Sequence, residues 1–155
     1  MTRTDRASLL VHVDRAAAFA ALTEADALAT WLPPADMRGR FESFEMRTGG
    51  AYRLVLTYDD ASGSPGKTTA DEDVSNVRIR EIVPGERVVQ EIEFEATDPN
   101  LQGMMTMEWN LHDDPAGTIV EIVARDVPLG VAARDHAAGL TSSLANLAAF
   151  LEPEH

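Results

Sequence analysis

The stretch that decides the fold is VAARDHAAGLTSSLANLAAFL, residues 131–151. Ala137, Leu140, Leu144, Leu147 and Leu151 recur at spacings of three and four, which places one continuous apolar stripe on a helix. Pro153 closes the segment. A helix of about 20 residues is ~30 Å long, enough to span a sheet. A helix with one apolar stripe needs an apolar surface to lie on, and the residues before it supply one.

From about Arg40 to Val127 the pattern is that of strands joined by short turns. Arg40 to Arg47 is followed by the turn Thr48-Gly49-Gly50, and Ala51 to Tyr58 then places Tyr52, Leu54, Leu56 and Tyr58 on one face. Residues Asp59 to Asp73 form a polar loop containing Gly, Pro and Ser, the segment expected to move most. Val74 to Val83 and Arg87 to Ala96 flank Pro84-Gly85, with Val88, Ile92 and Phe94 sharing a face. Gly103 to His112 offers Met105, Met107, Trp109 and Leu111 on one side, and Thr118 to Val127 returns after Asp113 to Gly117. Before all of these, Ser8 to Asp14 alternates as a first strand. Two short helices follow, carrying Phe19 and Leu22, then Leu28 and Trp31, with Thr23 as the expected cap of the second. Pro33 and Pro34 end the second helix. The expected architecture is α+β: a helix-grip fold, in which a curved antiparallel sheet of about seven strands packs with two short helices and a long C-terminal helix. Residues 1–155 form one domain by length and by the lack of any repeat or linker.

Thirteen basic against 26 acidic residues give a net charge of −13, which repels phosphate backbones and anionic membrane surfaces. Nucleic acids and membranes are therefore not expected partners. With no cysteine, disulfides, thiol catalysis and zinc–thiolate sites are excluded. The first residues are interrupted by charges and resemble no export signal, so cytoplasmic residence is expected. No paired-histidine helix or glycine-centred carboxylate loop occurs, and neither a metal nor another cofactor is expected.

Several local motifs occur in a familiar order. They are the helical segment ending Trp31-Leu32-Pro33-Pro34, the turn Gly49-Gly50-Ala51-Tyr52, and the hairpin Glu81-Ile82-Val83-Pro84-Gly85-Glu86-Arg87-Val88-Val89. Gly117-Thr118 and the final-helix pattern His136-x-x-Gly139-Leu140-x-x-x-Leu144-x-x-Leu147 complete the set. Together they resemble the START-like (SRPBCC, birch-pollen-allergen-like) superfamily, in the branch of the activator of heat-shock-protein ATPase homologues. The resemblance runs from Leu9 to Leu151 and implies a cavity between sheet and long helix.

Its expected lining is Leu54, Leu56, Tyr58, Ile92, Phe94, Met105, Met107, Trp109, Leu140 and Leu144, with His136 one turn before Leu140. If it points inward, His136 could hydrogen-bond a ligand or pass a proton. Glu108 and Asn110 share the opposite strand face from Trp109 and would enter the cavity only if the faces were inverted; Gln90 and Arg53 are further candidate anchors. None of these forms a recognisable catalytic constellation, so no catalytic residue is assigned. The expected function is non-catalytic binding of a small hydrophobic or amphipathic ligand between sheet and C-terminal helix, by a monomer or homodimer. The alternatives are a polyketide aromatase/cyclase-like or hydrolase enzyme, and a chaperone-regulating interaction domain.

Overall fold

The structure is a computed structural model that describes residues 3–33, 37–58, 72–94, 104–128, 130 and 132–152; of Tyr58, Asp73 and Phe94 it describes the backbone. The elements in chain order are β1 (Arg3–Val11), α1 (Arg15–Thr23), α2 (Ala25–Trp31), β2 (Met37–Phe44), β3 (Ala51–Tyr58), β4 (Glu72–Val83), β5 (Arg87–Phe94), β6 (Met104–Asp114), β7 (Gly117–Val127) and α3 (Ala133–Leu151). The strands form one antiparallel sheet in the order β1-β7-β6-β5-β4-β3-β2. Six of them are a meander of neighbours, and the first strand closes the edge against the last. The arrangement is the expected helix grip.

The sheet is curved for local reasons. Its register shifts between Phe41 and Ser43 in β2 and between Ile79 and Glu81 in β4, and each extra residue bends the strand that carries it. The turn after β2 also ties back into the sheet: Gly49 N–H donates to Ile79 O and Ile79 N–H to Gly50 O, both at 2.8 Å. Gly49 has a φ of 84°, which glycine adopts without steric penalty.

The helices lie mainly over one end of the sheet. α3 packs most extensively on β1, α1 touches β6 and β7, and α2 reaches β2. The core accordingly falls into two clusters. One joins Val11, Ala18, Leu22, Trp31, Val120, Leu144 and Leu147 under the helices; the other gathers Tyr52, Leu54, Val77, Ile79, Ile92 and Met105 on the concave face. Trp31 and Trp109 meet edge-on between α2 and β6, with ring centroids 5.7 Å apart. The Trp31 indole N–H is satisfied by Ala21 O at 2.8 Å.

Three elements of the sequence reading are corrected here, and a further one falls outside the described residues. β1 begins at Arg3 and ends at Val11, because Asp14 leaves the strand to cap α1, its carboxylate accepting from Ala17 N–H at 2.9 Å. Thr23 closes α1 instead of capping α2: its hydroxyl donates back to Phe19 O at 2.9 Å. α3 begins at Ala133 after the extended Ala132, and Ala137 is exposed, so the buried stripe is Leu140, Leu144 and Leu147. The polar loop expected over Asp59 to Asp73 lies, from 59 to 71, outside the described residues. Among the described residues no helix is long and apolar enough to cross a membrane.

Candidate functional site

The strands alternate, so every second side chain of β3 to β7 points into the concave face. β3 contributes Tyr52, Leu54 and Leu56, and β4 contributes Ser75 and Val77. Val88, Gln90 and Ile92 come from β5, Met105, Met107 and Trp109 from β6, and Ile122 from β7. The register sets Tyr52 beside Val77, Val77 beside Ile92 and Ile92 beside Met105, one row across four strands. Because the helices cover chiefly β1, β6 and β7 and, at the other edge, β2, the rows over β3 to β5 are left without a full roof. A cavity of about 480 Å³ remains there. Leu22, Leu28, Trp31 and Leu32 from α1, α2 and the residue after them form another wall. His136, Gly139, Leu140, Ser142, Ser143 and Asn146 of α3 close the side.

Of the eleven side chains expected to line this space, the structure brings eight together: Leu54, Leu56, Ile92, Met105, Met107, Trp109, His136 and Leu140. The side chains of Tyr58 and Phe94 lie outside the described residues. Leu144 does not line the cavity. It lies about 100° around the helix from Ser143 and about 140° from Gly139, and is buried instead in the cluster with Leu22, Leu28 and Val11. Sequence reasoning left out of the lining Tyr52, Val88 and Ile122 on the concave face, Ser75 and Val77, whose strand was not resolved into faces, Leu22, Leu28, Trp31 and Leu32 of the helical wall, and Gly139, Ser142, Ser143 and Asn146 of α3.

The candidates on the other strand faces are spent elsewhere. Arg125 donates to Glu108 and, more than any other cause, holds its carboxyl below the usual carboxylate range. Asn110 accepts from Arg87 at 3.1 Å and donates to Glu121 at 3.2 Å. Arg53 donates to Glu42 and to Asn76. All three sit on the convex surface, away from the cavity. His112 is exposed near Glu121, His12 is exposed against Glu152, and His155 lies outside the described residues.

Besides Ser75, Ser142, Ser143 and Asn146, two hydrogen-bonded polar features face the cavity. Gln90 Nε2 donates to the Tyr52 hydroxyl at 3.2 Å, and burial pushes the Tyr52 phenol up to about 12 despite that bond. At the α3 side, His136 Nδ1 is 2.6 Å from Asp5 Oδ2, and the side chains are 14% and 13% exposed. Donation from Nδ1–H to the carboxylate leaves Nε2 as the ring's open atom. Arg3 Nε holds the same carboxylate at 3.0 and 3.1 Å. Among the described residues no three His, Asp or Glu side chains are grouped to hold a metal ion.

Burial alone would raise the Asp5 carboxyl, but the hydrogen bonds and charges of Arg3 and His136 outweigh it and hold it low. A carboxyl depressed in the folded state stabilises the fold above the ordinary Asp range. That contribution is lost as pH falls through its own, lower titration. Asp5→Asn is therefore expected to cost ~1.5–3 kcal/mol near pH 7, the scale of a hydrogen bond to a charged group. The gap from the parent should narrow below about pH 4, measured by urea unfolding at a series of pH values. A gap that is constant from pH 7 to pH 3 would show that the carboxylate's charge plays no part.

The match to known proteins agrees with this geometry. The family model for Activator of Hsp90 ATPase homolog 1-like protein matches residues 12–152. A crystal structure of a Chromobacterium violaceum protein is 28% identical, with 97% of this chain and 98% of that one covered and a TM-score of 0.84. The solution structure of an AHSA1-like protein from Aeromonas hydrophila shares the fold at 15% identity, covering 99% and 98%, with a TM-score of 0.74. DynU16, from the dynemicin biosynthetic locus, does so at 18% identity and a TM-score of 0.71, with 97% of this chain covering 47% of DynU16. Among curated proteins none matches the sequence. The START-like resemblance drawn from the turn, hairpin and final-helix motifs is thereby borne out, and the chain belongs to the family of Activator of Hsp90 ATPase homolog 1-like proteins.

Proposed function

We propose that this protein binds a small hydrophobic or amphipathic molecule in the cavity between sheet and α3, without transforming it. The observation that carries the reading is a space of about 480 Å³ walled by leucines, methionines and both tryptophans of the chain, with few polar groups. A volume of that size and an apolar wall with sparse polar groups are what small-molecule sites offer. The methionines add side chains that adapt to irregular shapes. The presence of DynU16 in a biosynthetic locus is in keeping with a small-molecule role for the fold. A net charge of −13 argues against nucleic acids and anionic membranes as the partner.

Because Trp31 and Trp109 both line the cavity, a bound apolar compound should change the intrinsic fluorescence. At 100 times its Kd it should add ~2.7 kcal/mol of stability. Gly139 supplies the matching control. It is exposed at the cavity's α3 side, and a Cβ there would meet nothing within 4 Å. Gly139→Leu is expected to weaken binding about tenfold or more by filling the opening. The fold should be as stable as the parent or about 0.5–1 kcal/mol more so, since glycine is a poor helix residue. A compound screen that moves neither the fluorescence nor the melting temperature would count against the reading.

A second reading is favoured by one observation, the carboxylate-anchored imidazole of His136 on the cavity wall. An enzyme using it as a general base would lose turnover on His136→Gln while keeping ligand affinity.

A further inference from the structure

The sheet buries one polar pair in the cavity and leaves part of its bonding capacity open. Gln90 and Tyr52 are each 5% exposed, and both line the cavity. Their mutual bond at 3.2 Å uses one Gln90 N–H and one lone pair of the phenol oxygen. The Gln90 carbonyl oxygen and the Tyr52 O–H have no hydrogen-bond partner among the described residues. The Gln90 carbonyl oxygen is not fully enclosed, since the one fully enclosed side-chain polar atom lacking a partner among those residues is Arg3 Nη2, and Tyr52 lines the cavity beside it. Buried donors and acceptors are normally paired, so a donor and an acceptor held open side by side amount to a prepared binding point. Turning the carboxamide over would exchange its oxygen and nitrogen and still leave both kinds of group on offer.

The surroundings specify charge as well. No lysine or arginine is among the described residues lining the cavity. The phenol is neutral near pH 7, and His136 is already tied to Asp5. An anionic head placed against Gln90 and Tyr52 would therefore be desolvated without a counter-charge, and one of its oxygens would oppose the Gln90 carbonyl.

Building on the cavity-binding reading, we propose that the occupant is an uncharged molecule whose apolar body lies along Met105, Met107 and Trp109. Its one polar group both donates and accepts, as a carboxamide or an alcohol does, and it is bound by Gln90 and Tyr52.

The test uses three compounds of one shape, 2-naphthamide, 2-naphthoate and naphthalene, titrated into the full chain and followed by tryptophan fluorescence. The amide is expected to bind about tenfold or more tighter than the carboxylate. Gln90→Leu and Tyr52→Phe should each weaken the amide about tenfold and leave naphthalene within about twofold. Should the leucine variant fail to fold, as judged by its melting curve, the phenylalanine variant carries the test. A carboxylate that binds as tightly as the amide, or an amide indifferent to a folded variant, would overturn the inference while leaving the cavity reading standing. Failure of all three compounds, naphthalene included, would sink the cavity reading and this inference with it.

Discussion

Gly117→Ala is expected to lower the unfolding free energy by about 3–5 kcal/mol. Gly117 opens β7 where that strand meets the end of β1, with Thr118 paired to Val11. A Cβ on Gly117 would lie 2.1 Å from the Val11 carbonyl oxygen and 2.9 Å from His12 Cα. Both are backbone atoms, so no side chain can swing aside to make room. The residue's φ is 153°, a conformation that side-chain-bearing residues rarely adopt. Backbone strain of this kind costs roughly 1–3 kcal/mol and overpacking another 1–3. Chemical denaturation should read the loss directly, and the melting temperature should fall by about 10 °C or more. An alanine variant as stable as the parent would mean that β1 and β7 have room to separate here.

Leu147→Ala should cost ~2–5 kcal/mol for a different reason. Leu147 is fully buried in the cluster with Leu140, Leu144, Leu22 and Val11, and it does not line the cavity. Truncation removes apolar contacts and leaves a void that the packed helices can only partly collapse. Since the cavity is elsewhere, affinity for a molecule bound there under the proposed function should stay within about twofold wherever the variant is folded. Stability loss accompanied by a large loss of affinity would show that the two spaces are one.

The positions legible in the sequence are those whose period is simple. Tyr52, Leu54 and Leu56, and Met105, Met107 and Trp109, alternate cleanly, so the concave face could be read from them. Leu140, Leu144 and Leu147 marked α3 by their helical spacing. The first half of β1 could not be read that way, because Arg3, Thr4, Asp5 and Arg6 form part of an edge strand with no apolar alternation. The Asp5–His136 contact spans 131 positions and exists only because α3 lies on β1. No local pattern carries such a pairing. Leu144 was assigned to the cavity because a leucine stripe does not say which of its members face a void and which a neighbour. Gln90, by contrast, was visible as an amide between Val88 and Ile92 on an otherwise apolar face, although its bond to Tyr52 across the intervening strand was not.

The edge formed by β1 and β7 also has a consequence for how the chain is made. Strands β2 to β7 each find a neighbour within a short length of sequence, and these pairings can form as the chain grows. β1 cannot. Val11 waits for Thr118 and Arg3 for Val127, so β1 has no partner in this sheet until β7 has emerged. α3 emerges later still, and its contacts with β1 include the bond from His136 to Asp5, while just past the two elements His12 pairs with Glu152. On a ribosome, β1 therefore stays an unclaimed edge while β2 to β6 are made, and the charges of Arg3, Asp5 and Arg6 are of the kind that discourages edge-to-edge pairing in the meantime.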